Sequence, residues 1–179
     1  MFRKVSKIAF GSLFLVVGLS GCIVISNFDS VMQSEIPPNN SETIAQNPNS
    51  LSNLERSIHE QVNKYRQSQN LPPLALNAAI SQQSRLHSQA MANGKVPFSH
   101  QGFEQRVNAI AKTINYRSAG ENVAYNQGYK DPATQAFQGW LKSPGHLKNI
   151  RGNFNLTGIG VAQNSKGEYY FTQIFIRNR

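Results

Sequence analysis

Three side chains in this chain have the types and spacing to do chemistry together: His100, Glu121 and His146. Two imidazoles and a carboxylate can move protons, ligate a cation, or form a hydrogen-bonded tie between loop and helix. Glu121 and His146 stand near the two ends of the stretch Ala119–Ile150, which also carries the only tryptophan, Trp140; His100 lies upstream in Pro97-Phe98-Ser99-His100. A nucleophilic mechanism has little support. The only cysteine is Cys22, far from this stretch, and no Gly-x-Ser-x-Gly elbow accompanies Ser99 or Ser143. No His-Glu-x-x-His helix appears either, so the metalloprotease pattern is absent. The expectation is a small domain that holds His100, Glu121 and His146 in one cleft.

The elements that must position them follow from local patterns. Ser52-Asn53-Leu54-Glu55 fits a capping box and predicts a helix from Ser52, with Leu54, Ile58, Val62 and Tyr65 on one face. His59 falls off that stripe and is expected in solvent. Leu71-Pro72-Pro73-Leu74 ends the helix. A second helix is predicted over Ala78–Ala92, capped by Asn77; its His87 is either a ligand or a packed histidine with a satisfied nitrogen. A short third helix spans Phe103 to Lys112. A polar stretch follows, then a tight turn at Ala119-Gly120-Glu121-Asn122 that aims the carboxylate into a cleft. Asp131-Pro132 starts a helix whose apolar face is Ala133, Ala136, Phe137, Trp140 and Leu141, with Trp140 read as core. Ser143-Pro144-Gly145 reads as the turn that ends it, placing His146 just beyond. Leu156–Ala162 and Glu168–Ile176 read as an antiparallel hairpin, and the glycines of the first strand suit close approach of another segment.

At 179 residues the chain has room for one domain with appendages. Arg3, Lys4 and Lys7 precede an apolar run from Ile8 to Leu19, the pattern of a secretory signal over residues 1–21. It ends in Leu19-Ser20-Gly21-Cys22, which resembles a bacterial lipobox; that resemblance implies a lipidated Cys22 as the mature N-terminus. The alternative is an uncleaved anchor, because Ile23, Val24 and Ile25 prolong the apolar run. Either reading tethers the chain to a membrane, outside the cytoplasm. Residues 22–50 read as a flexible linker rich in Asn, Ser and Pro, and residues 51–179 as the domain. The formal net charge is +9, but no run of adjacent Lys or Arg occurs in the domain and no nucleic-acid recognition motif is present, so nucleic acid is not an expected partner.

Together the motifs carry a resemblance. Phe98-Ser99-His100, Gly120-Glu121-Asn122, Trp140-x-x-Ser143-Pro144-Gly145-His146, Asn149-Ile150, Gly158-Ile159-Gly160-Val161 and Thr172-Gln173 together resemble the CAP superfamily, the SCP/PR-1-like domains, in the bacterial form. The resemblance covers about residues 54–176. It implies an α+β fold: an α-β-α sandwich around a central, mainly antiparallel sheet, with a cleft on one side.

In many members two His and two Glu line that cleft and, in some, bind zinc or another divalent ion. His100 and Glu121 match one His and one Glu. Ser143 stands where the second Glu is expected and Tyr170 where the second His is expected. His146 is offered nearby, so His100, Glu121 and His146 would make a His₂Glu zinc set with an open water position. Asn122, Ser143, Tyr170 and Gln173 are further cleft candidates by motif position. A structural polar cluster, a divalent-metal site and a catalytic centre all remain open for these residues. At the level of function, the alternatives are a binding module for a lipid or envelope-derived ligand or partner protein, a metal-assisted hydrolase of peptides or cell-wall material, and a structural envelope protein.

Overall fold

The computed structural model describes residues 48–179, with side chains from residue 50. The basic n-region, the lipobox with Cys22 and most of the linker lie outside the described residues. No helix among the described residues is long and apolar enough to cross a membrane.

The described residues form, in order, α1 (Pro48–Ser68), β1 (Ala75–Leu76), α2 (Ala78–Ala92), α3 (Phe103–Ala111), β2 (Tyr116–Gln127), α4 (Pro132–Lys142), α5 (Pro144–Arg151), β3 (Leu156–Gln163) and β4 (Glu168–Asn178). The strands form one sheet in the order β1-β3-β4-β2; β1 runs parallel to β3 and the other pairs are antiparallel. Central β4 sends alternate side chains to opposite faces. Phe171 and Phe175 join a core with Ile58 and Val62 of α1, Phe137 and Trp140 of α4, and Ile150 of α5. Ile174 and Ile176 join a second core with Ile80 of α2 and Ile110 of α3. Helices therefore cover both faces of the sheet, as the expected α-β-α sandwich requires.

The glycines of β3 set how closely α2 lies on the sheet. A Cβ on Gly158 would land on the backbone of Ile80 and Ser81, and one on Gly160 on that of Ser84 and Arg85. At this separation Ser84 Oγ donates to Gly158 O at 3.1 Å and Ser88 Oγ to Gly160 O at 2.9 Å. Two strand residues rise about as far as one helical turn, roughly 6 Å, so serines four apart meet carbonyls two apart.

Several local readings hold. Asn77 caps α2, accepting from Ala79 N and Ile80 N, and Asp131 caps α4, accepting from Thr134 N, with Pro132 at the first turn. Trp140 is core, 1% exposed. Others need correction. α1 starts at Pro48, inside the predicted linker, so Ser52-Glu55 is no capping box. Glu55 is drawn away from the helix: its carboxylate accepts from Arg85 Nε (2.8 Å) and Nη2 (2.5 Å) and from Val161 N (3.3 Å). His59 is partly buried, not solvated, because the backbone of Leu74 and the Asn63 amide lie within hydrogen-bond reach of its Nε2. The predicted turn at Gly120-Glu121-Asn122 is the middle of β2. Gly120 serves close approach there: a Cβ would come within 2.8 Å of Asn149 Oδ1. Ser143-Pro144-Gly145-His146 is likewise the start of a helix, α5, with proline in its first turn.

One buried cation joins three of these pieces. Arg66, 1% exposed, donates Nε to Pro72 O (2.8 Å) and Nη1 to Ile150 O (2.7 Å) and Gly152 O (2.9 Å). It ties the end of α1 to the end of α5, whose last carbonyls favour a positive charge.

Gly158→Ala and Gly160→Ala are each expected to cost about 3 kcal/mol or more in chemical denaturation, because helix backbone cannot yield as a flexible side chain can. Gly139→Ala, in α4 with open space around it, is expected to be neutral or to stabilise by about 0.5–1 kcal/mol.

Candidate functional site

The site is built where β2, α3 and α5 meet the loop before α3. Glu121 projects from β2 with its side chain 2% exposed, and Arg106 of α3 grips it with a two-pronged contact. Nε donates to Oε2 and Nη2 to Oε1, both at 2.8 Å. His100 Nδ1 lies 3.0 Å from the same Oε1. An ionised carboxylate only accepts, so Nδ1 is the protonated nitrogen and Nε2 is left for other partners.

The loop carrying His100 is held by its carbonyls. His87 Nε2 donates to Ser99 O (2.9 Å), and Arg106 donates to Gln101 O (2.9 Å) and His100 O (3.4 Å). His87 is thus the packed histidine of the two readings left open, 4% exposed. Desolvation by burial pushes its pKa down, with Arg106 and His100 adding to the same direction against the opposing Ser99 carbonyl and Glu121.

His146 sits in the first turn of α5, its ring centroid 6.0 Å from that of His100. Burial, and then the neighbouring His100, lower its pKa. Asn122 and Asn149 hold this helix to the strand. Asn122 Nδ2 donates to His146 O (3.2 Å), while Asn149 Nδ2 donates to Glu121 O (3.0 Å) and Asn122 Oδ1 (2.9 Å). A cleft of about 300 Å³ opens beside His146, lined by Phe98, Val123, Tyr125, Trp140 and Ser143 among others.

Of the seven sequence candidates, His100 contacts Glu121 and lies beside His146, while His146 and Ser143 are the two that line the cleft. Asn122 and Gln173 are not cleft residues. They are cross-strand partners, both fully buried, and they face the α1/α4/α5 side while Glu121 faces the α2/α3 side. Asn122 works as a clamp, and Gln173 Nε2 donates to Thr157 Oγ1 at 3.1 Å. Tyr170 shares the face of Glu121 but pairs with Tyr125, four residues along β2, about 13 Å at strand rise. It does not replace a histidine beside Glu121. Arg106 was missed. Its signal was a charge flanking the apolar stripe Phe103, Val107 and Ile110, and only the fold shows that a carboxylate lies opposite it.

Known proteins share this fold. The model of the CAP family, the cysteine-rich secretory protein family, matches residues 59–175. The chain belongs to that family. It is 37% identical over 132 residues to the uncharacterized protein YkwD of Bacillus subtilis strain 168, covering 72% of this chain and 49% of that protein. Among solved structures it is similar to an extracellular SCP-domain protein of Bacillus anthracis, with 28% identity, a TM-score of 0.59, and coverage of 73% of this chain and 43% of that one. An outer surface protein of Borrelia burgdorferi shares the fold at 14% identity, with a TM-score of 0.60 and coverage of 71% of this chain and 94% of that one. The chain thus spans about half the length of YkwD and less than half of the B. anthracis protein.

The zinc or other divalent ion implied by the family resemblance does not fit this CAP site as it is built. Arg106 neutralises Glu121 and occupies both of its oxygens, and among the described residues no group of three or more His, Cys, Asp or Glu is arranged to hold a metal. A zinc titration by calorimetry is therefore expected to show no stoichiometric uptake. Uptake that disappears in each of His100→Ala, Glu121→Ala and His146→Ala would restore the metal site.

A pH dependence follows from the two desolvated histidines, His87 and His146. Both have folded pKa values below the ordinary 6.5, so below that pH the unfolded chain binds more protons than the folded one. Stability is expected to be full above about pH 7.5 and to fall as the pH drops through 6.5. His146→Gln should flatten that slope in thermal midpoints measured between about pH 7.5 and 5.5.

Proposed function

We propose that this CAP domain is an exported binding module, held at the cell envelope by lipidated Cys22, that takes a ligand or partner on the face bounded by Phe98, Tyr125, His100 and His146. The observation that carries the reading is the state of Glu121. A carboxylate gripped at both oxygens by Arg106 is a poor general base and a poor metal ligand, but it is a rigid support for His100. The side chains left open farther along this face suit recognition: exposed Phe98 and Tyr125 next to a cleft with His146 and Ser143 on its rim. Extracytoplasmic placement is supported by the secretory pattern of residues 1–21 and by the extracellular and outer-surface descriptions of the B. anthracis and B. burgdorferi proteins.

Photocrosslinking the full chain in intact cells is the direct test. A crosslinked envelope component is expected, reduced several-fold in Phe98→Ala and Tyr125→Ala and retained in Leu76→Ala, an exposed position on β1. Hydrolysis of peptide or cell-wall substrates abolished by His100→Ala would instead promote the hydrolase reading and displace this one.

A further inference from the structure

Three aromatic rings form a row on the sheet face that carries Glu121, toward the far end of β2. The ring centroids of Phe98 and Tyr125 are 6.2 Å apart and those of Tyr125 and Tyr170 are 5.2 Å apart. Phe98 is 51% exposed and Tyr125 44%, and Tyr170 is partly exposed beside them. The two tyrosines are a cross-strand pair, and one carboxylate fixes them both. Tyr125 Oη donates to Glu168 Oε1 (3.0 Å) and Tyr170 Oη to Glu168 Oε2 (3.4 Å); the Asn164 amide donates to that same Oε2. The Asn164 amide, then the Tyr125 hydroxyl, hold the Glu168 carboxyl below its usual range, so it stays ionised and the tie persists at neutral pH. Rings oriented in advance lose little freedom when something stacks on them.

The surroundings select the class of ligand. On one side is the cleft of about 300 Å³ with Gln135, Ser143 and His146; on the other a hollow of about 630 Å³ with Asn93, Gln163, Asn164 and Glu168. An acyl chain needs enclosure over most of its surface, and this row is open with polar rims. A nucleic-acid strand also stacks on rings but needs a basic lining for its backbone, and among the described residues Lys166 is the one Lys or Arg lining the two hollows. A sugar chain meets both conditions. Its C–H faces are attracted to the negative faces of the rings, and its hydroxyls match the amides and carboxylate on the rims.

We propose that the Phe98–Tyr125–Tyr170 row binds an uncharged polysaccharide chain, whose sugar units pack against rings tilted 54° and 57° to one another. This rests on the binding reading above and names the ligand class for that face.

The test is calorimetry on the full chain in a polyoxyethylene detergent, titrated with chitotetraose and cellotetraose in one arm and dihexanoyl phosphatidylglycerol in the other. At least one tetrasaccharide is expected to bind, about tenfold more weakly in Tyr125→Ala and in Phe98→Ala. Binding is expected to be unchanged in Leu86→Ala, which removes an exposed apolar side chain on α2 away from the row. Thermal melts of the two aromatic variants are expected to stay within a few degrees of the wild type, since each side chain is about half exposed. Absence of tetrasaccharide binding, or binding unaffected by either aromatic substitution, overturns the proposal. Lipid uptake that depends on Tyr125, without sugar uptake, overturns it while leaving the binding reading standing. No uptake in either arm overturns it and weakens that reading as well.

Discussion

Helix α2 lies backbone to backbone on the glycines of β3, and the site descends from that contact. With no Cβ at Gly158 or Gly160, nothing holds the helix off the strand, and Ser84 and Ser88 reach the strand carbonyls. The same helix turns His87 toward Ser99 O, which fixes the residue immediately before His100. The depth of a strand–helix contact thus sets the position of an imidazole that neither element carries. A side chain on either glycine would lift α2 and with it the loop that presents His100.

Buried charge is handled in three ways. Arg66 is satisfied by main-chain carbonyls, two of them at the end of α5, so it acts as a bracket. Glu55 is met by Arg85 and a strand N–H at the junction of α1, α2 and β3. Glu121 and Arg106 form the most enclosed ion pair among the described residues. Such a pair adds little net stability over apolar residues, yet removing one partner costs about 3–5 kcal/mol because the other is left uncompensated. The pair is best understood as a geometric device. It fixes the carboxylate oxygen that receives His100, and Arg106 also holds the His100 and Gln101 carbonyls.

Strand β2 lies at the edge of the sheet, and its outward carbonyls are covered by side chains. Trp140 Nε1 donates to Val123 O at 2.9 Å, and Asn149 donates to Glu121 O. Bare edges invite pairing with other chains, and these two contacts close part of this one. They also draw α4 and α5 against the strand, which brings His146 to His100 and forms the wall of the cleft. Protection of the edge and assembly of the site are therefore one act of packing.

Helices α2, α3 and α4 and most of α1 were legible because their determinants are local, whereas α5 read as a turn. Asn77 and Asp131 cap their own helices, and the apolar stripes of α1, α2 and α4 repeat at helical spacing over enough residues to be read directly. The hairpin of β3 and β4 was legible from its turn and its β-branched and aromatic residues, and the close-approach role of the β3 glycines could be anticipated from their position in a strand. The family resemblance, carried by short motifs in order, gave the layered sandwich. β2 was not legible: Gly120-Glu121-Asn122 is polar and looks like a turn, and its strand state depends on β4 pairing along one side and on Trp140 and Asn149 satisfying the other. Ser52-Asn53-Leu54-Glu55 looks locally like a capping box, but α1 begins upstream at Pro48, and the partners of Glu55 are decided by tertiary proximity to Arg85 and Val161. Likewise, the sequence alone put His100, Glu121 and His146 on the same short list, but whether Glu121 is an open ligand or a closed ion pair depended on Arg106 arriving from another helix. Local capping and periodicity are written in neighbouring residues; the partner of a buried charge is chosen by contacts between residues far apart in the chain.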